Sequence, residues 1–526
     1  MLLAADYRSP DEFDRQIFDT LVPQDHYLRR VLAVVDFERC RADLVSCYSV
    51  DQGRPAVEPT LLLKLEFLQY HYNLSDREII EQARYNMAFR YFLGLSLNSS
   101  LPHHTLLTVF RERLGVAKHQ AVFDALIAQA RERGLVKDRL RLKDATHMIA
   151  NIAIPSAIGL VAAARQRLLA AVRPYAPERV SDEEAHAVVI HTTTEDLAGA
   201  ERLLQRVTHL RGMLTWVEGL VAVGPPAQDS RGNWQALLEA IALARKVVTD
   251  REQPDPKDRL VSLQDPDARW GEHQGLYRGY KLDVLQDADS GLITALNVLP
   301  ANGDEARDAT TLIEREEQVH GNDVEALSID GIGFSGPLLR HWTDPQGLNL
   351  EVIVPPKVEP ATAYFNAERF TLNEAGDELT CPAGQTTRQR QRNRLDTGWL
   401  FRFARPVCAA CPLQKQCLEK LPQHKGRTVT TNDYAAEYQA ARAKAETETY
   451  QETRRQHWRI ERTLGEMVRW HNARHARYRG HPKSLVQGLL TGLVVNAKRL
   501  VKLLAGLGEP AGGTVRAELA SAGVNG

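Results

Sequence analysis

The chain has 526 residues, of which 43% are hydrophobic and 25% charged, with a formal net charge of −1. This length is too great for one hydrophobic core and calls for about three or four structural units. The composition is that of an ordinary soluble protein: no apolar run is long enough to span a bilayer, the N-terminus lacks the basic and apolar regions of a signal peptide, and the charge balance excludes a simple polycation, so a cytoplasmic protein with no membrane partner is expected.

Residues 1–135 read as a helical domain. Glu58–Tyr72 carries Pro59 in its first turn and stays apolar through Leu61, Leu62, Leu63, Leu65, Phe67 and Leu68. Ser75-Asp76-Arg77-Glu78 has the form of a capping box. A further helix starts at Thr105 and carries Arg111 and Arg113. Short helices with turns, one of them after Gly53-Arg54-Pro55, suit a DNA-binding bundle of helix-turn-helix type and suit any helical scaffold equally well.

Leu140 to Asn151 reads as a strand with a turn, and about a hundred residues of helical pattern follow, from Ser156 to about Thr249. Pro254-Asp255-Pro256 breaks that pattern, and the period beyond it changes from 3.6 to 2. Gly279–Leu285 and Leu292–Leu299, joined by the polar stretch Asp287 to Gly291, read as a β-hairpin. A helix over Asp308 to Val319 then leads to the strand before Asp330. This order predicts an α/β fold with a ribonuclease H-like mixed sheet. Residues 136–345 would form the core, with a helical insertion at about 155–255. Residues 346–430 would be a basic, cysteine-rich insertion, and 431–506 the helices that complete the core. The Gly/Ala-rich tail, 507–526, has too little bulk to pack and is expected to be disordered.

Three acidic residues stand out by their settings. Asp144 lies in Arg141-Leu142-Lys143-Asp144-Ala145-Thr146-His147, Asp330 ends an apolar strand and precedes Gly331-Ile332-Gly333, and Glu461 lies in an arginine-rich helical stretch. Two carboxylates at strand ends and one on a helix are a usual way to hold two hard divalent cations, Mg²⁺ or Mn²⁺, for phosphodiester chemistry. The plainer roles are a turn-capping aspartate, an Asx turn and an ordinary i,i+4 helix pair. Glu466 and Asp283 are the rival carboxylates.

Positive charge is clustered despite the neutral total. Residues 388–427 hold ten Lys or Arg against two acids, and 451–500 hold eleven against three. Such domain-level clusters supply the counterion-release contribution to DNA affinity. Cys381, Cys408, Cys411 and Cys417 fall in one short window that includes a Cys-x-x-Cys pair, a pattern suited to tetrahedral Zn²⁺, whereas Cys40 and Cys47 read as small buried hydrophobes. Lys281, Asn297 and Arg269 lie on or before the hairpin strands, where they could orient phosphates.

The chain resembles the DDE transposases of bacterial insertion sequences. The resemblance runs in order through Gly53-Arg54-Pro55-Ala56, Leu74-Ser75-Asp76-Arg77-Glu78, Phe110-Arg111-Glu112-Arg113-Leu114, Asp144-Ala145-Thr146, Asp265-Pro266-Asp267-Ala268-Arg269 and Gly279-Tyr280-Lys281. It continues through Asp330-Gly331-Ile332-Gly333, Cys381-Pro382-Ala383-Gly384, Arg459-Ile460-Glu461-Arg462, Tyr478-Arg479-Gly480 and Asn496-Ala497-Lys498-Arg499. It implies a ribonuclease H-like core that cuts and joins DNA, with Asp144, Asp330 and Glu461 as its catalytic, metal-holding triad. The family's last-helix signature (Tyr, two residues, Arg, three residues, Glu, six residues, Lys) is not met: its other slots hold Arg454, His457 and Val468, with Arg469 adjacent to the last. At 100° per residue Tyr450, Arg454 and Glu461 would share one helix face.

The resulting expectation is an insertion-sequence transposase that binds double-stranded DNA at terminal inverted repeats and joins it to target DNA. Arg111, Arg113, Lys281, Arg454, Arg462 and Arg469 are the candidate DNA contacts. Synapsis of two ends implies at least a homodimer, and such a protein would associate with the nucleoid. A nuclease without joining activity and a catalytically inactive DNA-binding repressor or scaffold are the alternatives.

Overall fold

The structure is a computed structural model that describes residues 9–49, 53, 55–224, 232–253, 258–273, 275–357 and 363–506. Arg54, the break at Pro254-Asp255-Pro256 and the tail from residue 507 lie outside the described residues. The chain forms two compact units: Met1–Lys137, Asp144–Asp308 and Ile460–Gly526 make the first, and Asp138–Lys143 with Ala309–Arg459 the second. The fold is mixed α/β, as expected.

The first unit begins with a helical bundle. Pro59–His71 has proline at its first position and buries nearly every residue, so it is apolar all round and runs through the centre. Asp76–Tyr85 opens on the expected capping box, with the Ser75 hydroxyl accepting from Glu78 N at 3.2 Å and Glu78 Oε2 accepting from Ser75 N at 2.7 Å. Thr105–Glu132 is interrupted at Gly115, whose φ of 58° and ψ of −166° are not helical. The long helix His481–Gly506 returns against Pro59–His71 and Thr105–Glu132, and Leu490, Val494 and Leu500 join Leu62, Phe67, Phe92 and Phe110 in one core.

Four helices, Ala157–Val172, Pro177–Thr193, Gly199–Val221 and Asn233–Glu252, fill the region read as helical. Apolar side chains three and four residues apart, such as Leu210, Met213, Leu214 and Val217, give them a core of their own with Leu168, Leu237 and Ile241.

Strand β1 spans Arg141–Ile149, and its residues from Asp144 onward belong to the first unit. There β2 (Arg269–Glu272), β3 (Leu276–Asp287) and β4 (Ile293–Pro300) form an antiparallel meander, with β3 also beside β1. The predicted hairpin is β3–β4, with Asp283 opposite Asn297. Gly279 has φ of +145°, and a Cβ there would lie 2.1 Å from Met148 O and 2.6 Å from Ala150 N. Only glycine lets β3 approach β1 this closely.

In the second unit, Arg141 and Leu142 pair in parallel with β5 (Ala326–Ser328), and β5 in parallel with β6 (Glu351–Ile353). Arg141 is fully buried there. Its Nη2 donates to Glu316 Oε1 at 2.7 Å and to Asp138 Oδ1 at 2.9 Å, and Glu316 is equally buried. The cysteine-rich region holds two small antiparallel sheets, Thr371–Leu372, Leu379–Thr380 and Thr386–Thr387, then Arg390–Arg392, Trp399–Arg402 and Thr428–Thr430. Its core is Phe370, Leu379, Phe401, Phe403 and Val429.

The arginine-rich stretch expected to be one helix is two, Glu448–Arg455 and Trp458–His471. Tyr450 and Arg454 therefore share no helix with Glu461. The break has a local cause: Gln456 N and His457 N turn back to Thr453 O and Arg454 O, an i→i+3 tightening, and His457 points inward.

Candidate active site

The three carboxylates occupy different element positions. Asp144 is half-buried within β1, which continues to Ile149 instead of turning, and its Oδ1 accepts from Ala145 N at 2.8 Å. The strand-end setting expected for it is thus corrected to a mid-strand one, because β1 keeps its neighbours past this point. Asp330 stands two residues beyond β5. Its side chain caps the short turn Gly331–Gly333 by accepting from Ile332 N at 3.2 Å, which is Asx-turn geometry. Glu461 is exposed in the first turn of Trp458–His471. Asp144 and Glu461 belong to the first unit and Asp330 to the second.

The rival carboxylates have structural surroundings. Glu466 is ion-paired with Lys498, which ties Trp458–His471 to His481–Gly506. Asp283 is fully buried on β3 opposite Asn297.

The surroundings of Asp330 in the second unit are basic. Arg454 Nη1 donates to Ile329 O at 3.0 Å, and His457 Nδ1 lies 3.1 Å from Ser328 Oγ. Burial, then Arg454, then Lys143 push the His457 imidazole down to about 4, so it is neutral near pH 7. Lys143 and His457 were not singled out in the sequence, although Lys143 adjoins Asp144 and His457 fills the arginine slot of the signature.

His457 has a consequence for acid stability. Its ordinary pKa is about 6.5, so the unfolded chain takes the proton more readily than the folded one. The contribution is complete above about pH 6.5 and is lost as pH falls towards 4, where it amounts to about 3 kcal/mol. Urea unfolding of wild type and His457→Gln from pH 7 to 4 should show a shallower loss for the variant. Parallel curves would mean that His457 does not set the acid limb.

The candidate DNA contacts divide into two groups. Arg111 is buried in the bundle, where it donates to Asp76 Oδ2 at 2.5 Å and to Glu66 Oε1 at 3.4 Å. Burial opposes its charge, but Glu66, Tyr478 and Asp76 hold it more basic than usual. Its N–H groups are thus engaged by the protein and not available to a phosphate. Lys281 is ion-paired with Glu305 at 3.3 Å, Arg269 with Asp258 at 2.8 Å, and Asn297 Nδ2 donates to Asp308 Oδ1 at 2.9 Å. These three serve the local fold. Arg113, exposed, stacks over Tyr48 at 4.3 Å. Arg462 and Arg469 are exposed on Trp458–His471 together with Trp470, which is 69% exposed.

The four clustered cysteines line one apolar pocket with Phe365, Phe370 and Phe403. Cys408 Sγ accepts from Arg427 N at 3.3 Å, and Gly384, with φ of 77°, returns its N–H to Cys381 O at 2.8 Å. Burial pushes the Cys417 thiol up, with the other three thiols adding to the rise and Arg427 opposing it. Cys40 is buried, as expected, and burial beside Asp43 and Asp36 raises its thiol to about 11.

Two family models match the chain. A transposase domain matches residues 16–113 and a transposase DDE domain matches residues 380–501. Comparison with curated proteins and with solved structures found no match. The first match covers most of the helical bundle, and the second contains the cysteines, Arg454, His457 and Glu461. Both matches are to transposase domains, and they support the resemblance to the DDE transposases of insertion sequences.

Proposed function

We propose that this protein is a DDE transposase that binds the ends of its element and carries out metal-dependent DNA strand cleavage and strand transfer on a ribonuclease H-like core. The observation that carries the reading is the DDE-domain match over residues 380–501, which contains Glu461. Asp144, Asp330 and Glu461 would hold Mg²⁺ or Mn²⁺: the donor set is all carboxylate, suited to hard divalent cations, with Asp144 and Asp330 partly exposed and Glu461 exposed. Such ions supply Lewis-acid stabilisation of the attacking and leaving oxygens.

The residues around Asp330 have their own part. Asp330 is held by the Ile332 amide, which fixes the carboxylate at the end of its strand. Arg454 and Lys143 give that neighbourhood a positive field for an anionic DNA backbone, and His457, neutral and bonded to Ser328, adds no charge near pH 7. Exposed Arg462 and Arg469, with Trp470 beside them, offer a phosphate-binding face with an aromatic platform. Double-stranded terminal repeats and target DNA are the partners, and two-ended synapsis calls for a homodimer. The test is Mg²⁺-dependent cleavage of a labelled duplex carrying the element's own end, with wild type and Asp330→Asn compared and DNA binding followed in parallel. Binding by both with cleavage by neither would favour a catalytically inactive DNA-binding protein.

Cys381, Cys408, Cys411 and Cys417 would hold a structural Zn²⁺. The fit rests on the shared pocket, the amide donated to Cys408 Sγ and the left-handed Gly384 turn behind Cys381. Their sulfurs do not gather in threes to within 4.8 Å of one another, so ligation would draw them inward. The five-residue core of the region is small, so zinc would contribute directly to its folding. Cys408→Ser should lose about one equivalent of zinc by elemental analysis and expose residues 363–430 to protease. Full zinc content and unchanged protection would remove zinc from this region.

A further inference from the structure

A third group of metal-ligating side chains lies in the four-helix insertion. Among the described residues, Glu183, His186 and His209 each offer a ligand atom within 4.8 Å of the others'. Glu183 and His186 are three residues apart on helix Pro177–Thr193 and share one face, while His209 faces them from helix Gly199–Val221. Both helices belong to the first unit.

One oxygen of Glu183 serves both imidazoles. Its Oε2 lies 3.0 Å from His209 Nε2 and 4.0 Å from His186 Nδ1, while Oε1 accepts from Trp216 Nε1 at 3.0 Å. Ligand atoms around a tetrahedral Zn²⁺ with bonds of about 2.0–2.1 Å stand roughly 3.3 Å apart, between those two separations. The Trp216 bond orients the carboxylate from behind, as an outer-shell partner does. A simple hydrogen-bonded pair would explain His209 and Glu183 but gives no reason for His186, whose contact with the carboxylate is too long for a hydrogen bond. His186 instead sits edge-on to His209, with ring centroids 4.8 Å apart.

Burial is graded across the three. The side chains of His209 and Glu183 are 7% and 17% exposed, and that of His186 is 59% exposed, at the mouth of an open groove lined also by Arg179, Ile190, Thr208 and Met213. The positive charges of Arg165 and Arg179 act against a bound cation and limit its affinity.

We propose that Glu183, His186 and His209 form a binding site for a borderline divalent cation, Zn²⁺ by its ligand chemistry, that clasps two helices of the insertion and leaves a coordination position open to the groove. Two imidazoles and one carboxylate favour Zn²⁺ over Mg²⁺ or Ca²⁺, which take oxygen ligands. The site does not rest on the transposase reading.

The probe is Co²⁺ titrated into the metal-free full-length chain and followed by absorption. A nitrogen–oxygen site gives d–d bands without the thiolate charge-transfer absorption of cobalt held by cysteine, so the two sites separate in one titration. His186→Ala should weaken the nitrogen–oxygen component at least about 10-fold and leave the thiolate component unchanged. Because His186 is exposed, the metal-free melting temperature should also stay the same. His209→Asn should reproduce the loss. A nitrogen–oxygen component absent from wild type, or equally strong in both variants, would overturn the proposal.

Discussion

Asp330→Asn is expected to lower Mg²⁺-dependent strand cleavage by at least about 10²–10³-fold and to leave binding of the end duplex unchanged. Asparagine retains a side-chain oxygen that can accept from Ile332 N, so the turn at Gly331–Gly333 should survive. What is lost is one negative charge at the end of β5, and with it affinity for a hard cation. Glu466→Gln is the matched control: Glu466 lies on the same helix as Glu461 but is committed to Lys498. It should cut at close to the wild-type rate. A band-shift assay and a single-turnover cleavage assay on the same duplex separate binding from chemistry. Cleavage by Asp330→Asn within about 10-fold of wild type would rule Asp330 out as a metal ligand.

The largest stability effect should come from Glu316→Ala, with a loss of about 3–5 kcal/mol. Arg141 and Glu316 are both fully buried, so deleting the carboxylate leaves a guanidinium in the interior with the partly exposed Asp138, at 33%, still beside it. The double variant Arg141→Met with Glu316→Leu should recover most of the loss, because a buried ion pair often adds little over packed hydrophobic groups. Urea unfolding followed by far-ultraviolet circular dichroism gives both numbers. A loss under about 1 kcal/mol in Glu316→Ala would mean that water or Asp138 compensates the guanidinium.

What could be read from the sequence was local. The Ser75 capping box, Pro59 in the first turn and the hairpin from β3 to β4 each depend on residues a few positions apart, and each is present. Arg111 was read as a DNA contact because its partners Glu66 and Asp76 lie 45 and 35 residues earlier, too far away for any spacing rule. The break at Gln456–His457 was hidden for the same reason. Every residue there tolerates a helix, and the inward turn of His457 reflects Ser328, 129 positions away. At the candidate site, the types and order of the carboxylates were legible. The mid-strand setting of Asp144 was not, since strand ends depend on neighbouring strands. Glu183 and His186 were not singled out in the sequence, and His209 joins them only through the packing of two helices.

The contact at Gly279 bears on how this chain can change over time. Backbone meets backbone there, so no rearrangement of neighbouring side chains can make room for a larger residue. Elsewhere on β3, compensating exchanges between facing side chains remain open to drift, for example between Val284 and Leu296. At 279 any substitution must push β1 away, and that strand carries Asp144. The position is thus a fixed letter in an otherwise rewritable strand, coupling the history of the hairpin to that of the carboxylate.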